Sequence, residues 1–145
     1  MRSSHSAAAW ASLLCFCCCS LAARAGQPVV VGVSPAELSE YQLPAEGKPW
    51  KCKDGTLSLP FAAVNDEYCD CGDGSDEPGT SACAGVGSTT FWCANAGYVE
   101  AHVPVSRVND GICDCCDGSD EHGGGSCADG CAALAIEANR EISRG

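Results

Sequence analysis

Residues 64–77 of the chain read VNDEYCDCGDGSDE, and residues 108–121 read VNDGICDCCDGSDE. We call these stretches the first and second acidic repeats. The second follows the first at an offset of 44 residues, and Cys83 and Cys127 keep that offset. The chain therefore contains a duplicated unit. A unit of about 30–40 residues is too small to be stable through apolar burial alone, so it needs disulfides or a metal ion.

The composition agrees with this interpretation. The chain has 145 residues, of which 14 are cysteines, and a formal net charge of −11. Cysteine at this frequency in a short chain is typical of a disulfide scaffold. The 19 acidic residues against 8 basic ones disfavour nucleic acid and anionic membrane surfaces as partners. An oxygen-preferring cation is the partner that this composition favours.

Residues 1–25 have the form of a secretory signal peptide. Arg2 precedes an apolar run over residues 7–23, and residues 23–25 form a small-x-small cleavage site. The alternative is a transmembrane anchor, but a run of about 17 residues is at the short end of what spans a bilayer. Cleavage would leave ten cysteines and a charge of −13. An even number suits complete disulfide pairing in a secretory compartment. No second long apolar segment follows, so we expect no membrane insertion after cleavage.

Frequent glycines and prolines predict little regular secondary structure. Residues 26–51 contain four prolines and no cysteine, which predicts an extended arm that is partly ordered at most. Short strands are expected over residues 56–61 and 98–103, with a helical turn after Pro60. The Ala- and Glu-rich residues 132–142 predict a helix.

Each acidic repeat gathers four carboxylates, which repel one another unless a cation lies between them. Ca²⁺ takes six to eight oxygen ligands in flexible geometry. A solvated acidic surface is the alternative, but the same spacing between the same cysteines favours calcium, and the spacing is not that of an EF-hand. The candidate ligands are Asp66, Asp70, Asp76 and Glu77 in the first repeat, and Asp110, Asp114, Asp120 and Glu121 in the second.

The ends of both repeats, residues 71–77 and 115–121, match the pattern Cys-x-Asp-x-Ser-Asp-Glu. This pattern resembles the signature of low-density-lipoprotein-receptor class A modules. Asn65 and Asn109 stand where those modules carry a cysteine, and each repeat instead has an added cysteine. This tandem variant, preceded by GVSP at residues 32–35 and KPWKC at 48–52, is similar to the N-terminal domain of the glucosidase II beta-subunit family.

The resemblance implies a small, disulfide-rich, calcium-stabilised fold. Two tandem class A-like modules would cover residues 52–87 and 88–131, after the arm of residues 26–51. Residues 132–145 would begin a helical or coiled-coil segment that is apparently truncated. Two calcium ions would be held by the eight carboxylates and by the backbone carbonyls of Ala63, Tyr68, Arg107 and Ile112. Asp73 and Asp117 would brace the loops through hydrogen bonds without touching the metal.

Disulfide pairing follows only partly from spacing. Cys69 and Cys71 are too close in sequence to bridge easily, which leaves two pairings open in the first unit. Zinc bound near residues 113–116 is an alternative that an oxidising compartment disfavours. The resemblance implies the bridges Cys52–Cys71 and Cys69–Cys83, and the offset carries these two to Cys93–Cys115 and Cys113–Cys127. Cys116 and Cys131, which have no counterparts in the first unit, would then pair with each other.

We expect a non-catalytic chain, because its histidines and cysteines form no recognisable catalytic set. The resemblance implies a subunit that docks on the catalytic alpha subunit of glucosidase II, which removes glucose from N-linked glycans in the lumen of the endoplasmic reticulum. Trp50 and Tyr68 are candidate contacts, whereas Phe61, Phe91 and Trp92 are expected to pack inside.

Two other functions remain open. A secreted, receptor-type, calcium-dependent protein-binding module is the main alternative, because residues 141–145 are not a retention tetrapeptide. A small disulfide-rich inhibitor or toxin is a weaker one, because the chain carries two calcium-type repeats. The family's lectin domain is also missing from the chain, which we interpret as a fragment or a short isoform.

Overall fold

The computed structural model describes residues 29–144. The predicted signal peptide and its alternative as a membrane anchor lie outside the described residues. Within them, short strands, turns and loops are followed by a helix at the C-terminal end. The prediction of a small disulfide-rich fold with little regular secondary structure is confirmed.

The first hairpin pairs β1 (Trp50–Lys51) with β2 (Ser58–Leu59) in antiparallel register, with Trp50 opposite Leu59. A 3-10 turn, Phe61–Ala63, follows Pro60 as expected. The strand predicted over residues 56–61 is shorter than expected. Its first residue, Thr56, donates from both its amide and its hydroxyl to Asp54, at 2.9 and 2.8 Å. These local bonds hold Thr56 in a turn instead of a strand.

Residues 29–49 form a series of turns that pack against this hairpin. Val30, Val33 and Tyr41 are buried and share one apolar cluster with Trp50. The rings of Tyr41 and Trp50 stack with their centroids 5.6 Å apart. The expectation of an extended arm is therefore wrong. The apolar residues between the prolines supply a core that strands of two residues cannot provide.

The second hairpin pairs β3 (Thr90–Cys93) with β4 (Ala101–Pro104), and Phe91 lies opposite Val103. The strand predicted over residues 98–103 begins later than expected. Asn95 causes this, because its side-chain amide donates to the carbonyl of Val99 and its own carbonyl accepts from Tyr98, both at 2.9 Å. A second buried cluster forms beside this hairpin from Phe91, Cys93, Val108 and Cys115.

Five disulfides join distant parts of the described chain. They are the five pairs that the resemblance implies: Cys52–Cys71, Cys69–Cys83, Cys93–Cys115, Cys113–Cys127 and Cys116–Cys131. All ten cysteines of residues 29–144 are thus used. The zinc alternative near residues 113–116 is wrong, because a disulfide sulfur is not a thiolate ligand.

The C-terminal helix α1 spans Cys131–Ile142, which matches the predicted helix. Its first turn is fixed to the second acidic repeat twice, by the bridge from Cys131 to Cys116 and by a 2.7 Å hydrogen bond from the amide of Gly130 to the carbonyl of Cys116. Cys131 is its buried residue. Among residues 29–144, the helices lack the length and apolar character needed to cross a bilayer.

Candidate metal centre

Asp76 is fully buried inside the first acidic repeat. Its Oδ2 accepts hydrogen bonds from the amides of Asp70 at 2.5 Å and Cys71 at 3.2 Å. Its Oδ1 lies 3.5 Å from Sγ of Cys83, but that sulfur belongs to a disulfide and has no hydrogen to donate. One oxygen of a buried carboxylate therefore lacks a donor, a condition that a cation would relieve.

Asp120 occupies the equivalent position in the second acidic repeat and is also fully buried. Its Oδ2 accepts from the amide of Asp114 at 2.6 Å, whereas its Oδ1 has no hydrogen-bond partner. Leaving a buried carboxylate oxygen unpaired is costly. Each repeat therefore contains one buried carboxylate oxygen that receives no hydrogen bond, so the chemistry of both sites fits a bound cation.

Glu77 and Glu121 follow these aspartates and are buried as well. Glu77 accepts from the amides of Asp66 at 2.9 Å and Glu67 at 3.3 Å, and from the hydroxyl of Thr80. Burial raises the pKa of Glu77 above its usual value, although the Thr80 hydroxyl and the backbone amides act in the opposite direction. Glu121 accepts from the amide of Gly111 at 3.0 Å.

Asp66 and Asp110 shape the loops between these groups. Their Oδ1 atoms accept from the amides of Tyr68 at 3.0 Å and Ile112 at 2.9 Å, two residues further along the chain. Such Asx turns bend the backbone back on itself. The residues expected to offer backbone carbonyls lie in these loops or in the 3-10 turns before them, at equivalent places in the two repeats: Ala63, Tyr68, Arg107 and Ile112.

Asp73 and Asp117 accept the hydrogen bonds that the resemblance assigns to them. Asp73 accepts from the amide and hydroxyl of Ser75, at 3.0 and 2.6 Å, and from the amide of Asp54 at 2.7 Å. Asp117 accepts from the amides of Ser119 at 3.0 Å and Asn95 at 2.7 Å. Burial alone would raise the pKa of both carboxyls, but these hydrogen bonds hold each pKa below its usual value.

The candidate ligand side chains of each repeat are brought together only in part. Within residues 29–144, the single group of three potential ligand side chains whose atoms lie within 4.8 Å of one another is Cys69, Asp76 and Cys83. The two sulfurs of this group are joined in a disulfide, so Asp76 is its effective ligand. Among the described residues, no three carboxylates of one repeat have oxygens that all lie within 4.8 Å of one another.

Two side chains near the repeats were not anticipated. Arg107 was considered only for its carbonyl, but its Nη1 lies 2.8 and 3.1 Å from the two carboxylate oxygens of Asp114. Thr80 braces Glu77 from outside the repeat. The difference between Arg107 and its counterpart Ala63, at the 44-residue offset, is the sequence signal that marks Arg107.

Comparison with known proteins identifies the group to which these repeats belong. The family model described as glucosidase II beta subunit-like matches residues 12–144. The chain belongs to this family. It is 50% identical over 66 residues to "Glucosidase 2 subunit beta" of Bos taurus, a match covering 46% of this chain and 12% of that protein. It is 47% identical over 73 residues to the protein of the same name from Schizosaccharomyces pombe, covering 50% and 14%. The chain thus spans a small part of the length of these relatives.

A solved structure adds a likeness in three dimensions. It is described as a crystal structure of an ER glucosidase II heterodimeric complex, consisting of the catalytic subunit and the binding domain of the regulatory subunit. The likeness has a TM-score of 0.63 at 38% identity and covers 72% of this chain and 99% of the matched chain. This beta-subunit family member therefore shares the fold of that solved chain.

Proposed function

We propose that the chain is the non-catalytic part of an endoplasmic-reticulum glucosidase II beta subunit that binds the catalytic alpha subunit, in the service of N-glycan glucose trimming and glycoprotein quality control. The observation that carries the proposal is the likeness to the solved complex, which extends over 99% of the matched chain at 38% identity. The proposed location is the lumen of the endoplasmic reticulum, since the solved enzyme is described as an ER complex.

The contacts of the polar groups support a non-catalytic role. The ring of His122 stacks on Phe91 with the centroids 6.1 Å apart, and its Nε2 lies 2.8 Å from the carbonyl oxygen of Gly79. His122 is thus engaged in packing. The buried carboxylates of the repeats accept hydrogen bonds from backbone amides. This arrangement is more typical of structural or cation-binding groups than of an acid/base pair that faces a substrate.

We propose further that each acidic repeat holds one Ca²⁺ ion in the manner of a class A-like module. Two buried carboxylate oxygens support this: Oδ1 of Asp120 has no hydrogen-bond partner, and Oδ1 of Asp76 faces only a disulfide sulfur. A bound ion would supply the positive charge that allows several carboxylates to remain ionised and close together. The proposed ligands are the side chains of Asp66, Asp70, Asp76, Glu77, Asp110, Asp114, Asp120 and Glu121, with the carbonyls of Ala63, Tyr68, Arg107 and Ile112.

Tyr68 is the aromatic residue best placed to contact the alpha subunit. It leaves 67% of its surface exposed on the loop of the first acidic repeat. Trp50, the other candidate contact, is only 4% exposed, so the expectation that it lies at the surface is wrong. Phe91 is buried, and Phe61 and Trp92 are partly buried, as expected for packing residues. Exposed aromatic residues on rigid loops are frequent anchors of protein interfaces.

Capture of the alpha subunit tests the proposal. The secreted or lumenal chain, with its disulfides intact, is immobilised and offered the purified alpha subunit in calcium or in a chelator. We expect capture in calcium, reduced capture in the chelator, and a loss of about tenfold or more in affinity for Tyr68→Ala. Tyr98→Ala is the matched control, since Tyr98 is exposed but lies outside both repeats.

Failure of capture in calcium would contradict the proposal and favour the receptor-type module. Equal losses for Tyr68→Ala and Tyr98→Ala would contradict the placement of the contact at the first acidic repeat while leaving the subunit role intact.

A further inference from the structure

The two acidic repeats carry the same carboxylates but different neighbours. In the second repeat, Nη1 of Arg107 lies 2.8 and 3.1 Å from the two oxygens of Asp114. At the 44-residue offset, Ala63 replaces Arg107 and Asp70 replaces Asp114. Within residues 29–144, Asp70 takes part in no ion pair. One proposed calcium ligand of the second repeat is therefore already held by an internal cation, whereas its counterpart is not.

The hydrogen bonds of the two glutamates also favour calcium binding at the first repeat. Three donors fix Glu77: two backbone amides and the hydroxyl of Thr80. Glu121 accepts from one amide, that of Gly111, and glycine at position 124 stands in the place of Thr80. A ligand already held in place loses less conformational freedom when it binds. The first repeat is accordingly the better organised of the two sites.

We propose that the two sites fill in order, the first acidic repeat before the second, and that the Arg107 side chain sets the weaker affinity of the second. The inference rests on the calcium sites proposed above. Ca²⁺ at the second repeat must compete with the guanidinium for the oxygens of Asp114, and it also meets the repulsion of a fixed positive charge nearby. At the first repeat, a methyl group takes the place of that guanidinium.

The size of the effect follows from exposure. The side chain of Arg107 is 48% exposed and that of Asp114 is 23% exposed, so solvent screens their attraction. Ion pairs of this kind contribute little, and the expected penalty on calcium affinity is about two- to fivefold. Arg107 acts through Asp114 and is a positioning residue, not itself a side-chain ligand.

Calcium titration of the disulfide-bonded chain tests this order of filling. Amide signals of Gly74 and Gly118, which are equivalent glycines of the two repeats, report each site separately by NMR, and calorimetry reports total affinity. In the unaltered chain we expect the amide signal of Gly74 to saturate at a lower calcium concentration than that of Gly118. Arg107→Gln should tighten the Gly118 transition by about two- to fivefold and leave the Gly74 transition unchanged.

Arg140→Gln is the matched control, because it removes an arginine from the exposed face of α1 and should move neither transition. If the Gly74 and Gly118 signals saturate at the same calcium concentration, the proposed order of filling is overturned. A Gly118 transition that Arg107→Gln weakens or leaves unchanged would overturn the role of Arg107. If neither amide signal shifts with calcium and calorimetry detects no heat of binding, the chain binds no calcium and the calcium sites themselves are overturned.

Discussion

Asn65 and Asn109 close the two acidic repeats at equivalent positions. Both adopt left-handed backbone conformations, with φ of 59° and 56°, which asparagine tolerates better than most residues. The amide of Asn65 donates to the carbonyl of Asp76 at 2.8 Å, and its Oδ1 accepts from Gly79 at 2.7 Å. Asn109 does the same with Asp120 and Gly123. These hydrogen bonds thus hold each loop together at the position where class A modules carry a cysteine.

Asp73 gives the fold a defined sensitivity to acid. Its pKa lies below the usual value of 3.8, so its hydrogen bonds stabilise the folded chain fully above that pH and lose their contribution as the pH falls further. Asp73→Asn should flatten the decline of the free energy of unfolding below about pH 4 in calcium-free buffer, as measured by urea denaturation at several pH values.

The control for this measurement is Glu46→Gln, at an exposed position in the N-terminal turns. It should follow the acid dependence of the unaltered chain. An Asp73→Asn chain that declines as steeply as the unaltered one would show that Asp73 contributes nothing to acid sensitivity.

At the scale of elements, the sequence predicted what repetition and composition encode. The duplicated repeat, the turn after Pro60 and helix α1 were all expected from spacing or propensity. The packing of residues 29–49 was not, because prolines predict a lack of regular structure but do not reveal where Val30, Val33 and Tyr41 will be buried. Tertiary contacts decide order in a segment without helix or strand.

Helix α1 depends on the bridge between Cys116 and Cys131. A helix of 12 residues is marginal alone in water, and Cys131 is its buried residue. Replacing both cysteines with serine should remove amide-exchange protection across residues 131–142 while protection in β3 and β4 persists. The two cysteines are 15 positions apart in the sequence, and loss of the bridge should cost about 3 kcal/mol of stability.

Leu134→Ala, on the exposed surface of the helix, is the control and should leave protection in place. Persistent protection of α1 in the double-serine chain would indicate that the Gly130–Cys116 hydrogen bond alone anchors the helix.

At the scale of the whole molecule, the two repeats are joined through the N-terminal turns. The amide of Trp92 in β3 donates to the carbonyl of Gly32 at 2.9 Å, and the side chain of Asn65 donates to the carbonyl of Val31 at 3.0 Å. His122 reaches across to Gly79. The sequence predicted two units in tandem but not this joint, since contacts between residues 34 or more positions apart leave no local pattern.

Gly32 is the residue that this joint requires. Its φ is +83°, and a Cβ at this position would lie 2.0 Å from the carbonyl oxygen of Pro78. Gly32→Ala should therefore combine backbone strain with a clash against rigid main chain, lowering the free energy of unfolding by about 3 kcal/mol. Gly55→Ala is the matched control, with φ of +73° and open space around the added methyl group, and should cost about 1 kcal/mol. Urea denaturation with disulfides intact measures both values, and equal losses would show that the close approach of Gly32 to Pro78 adds no cost beyond backbone strain.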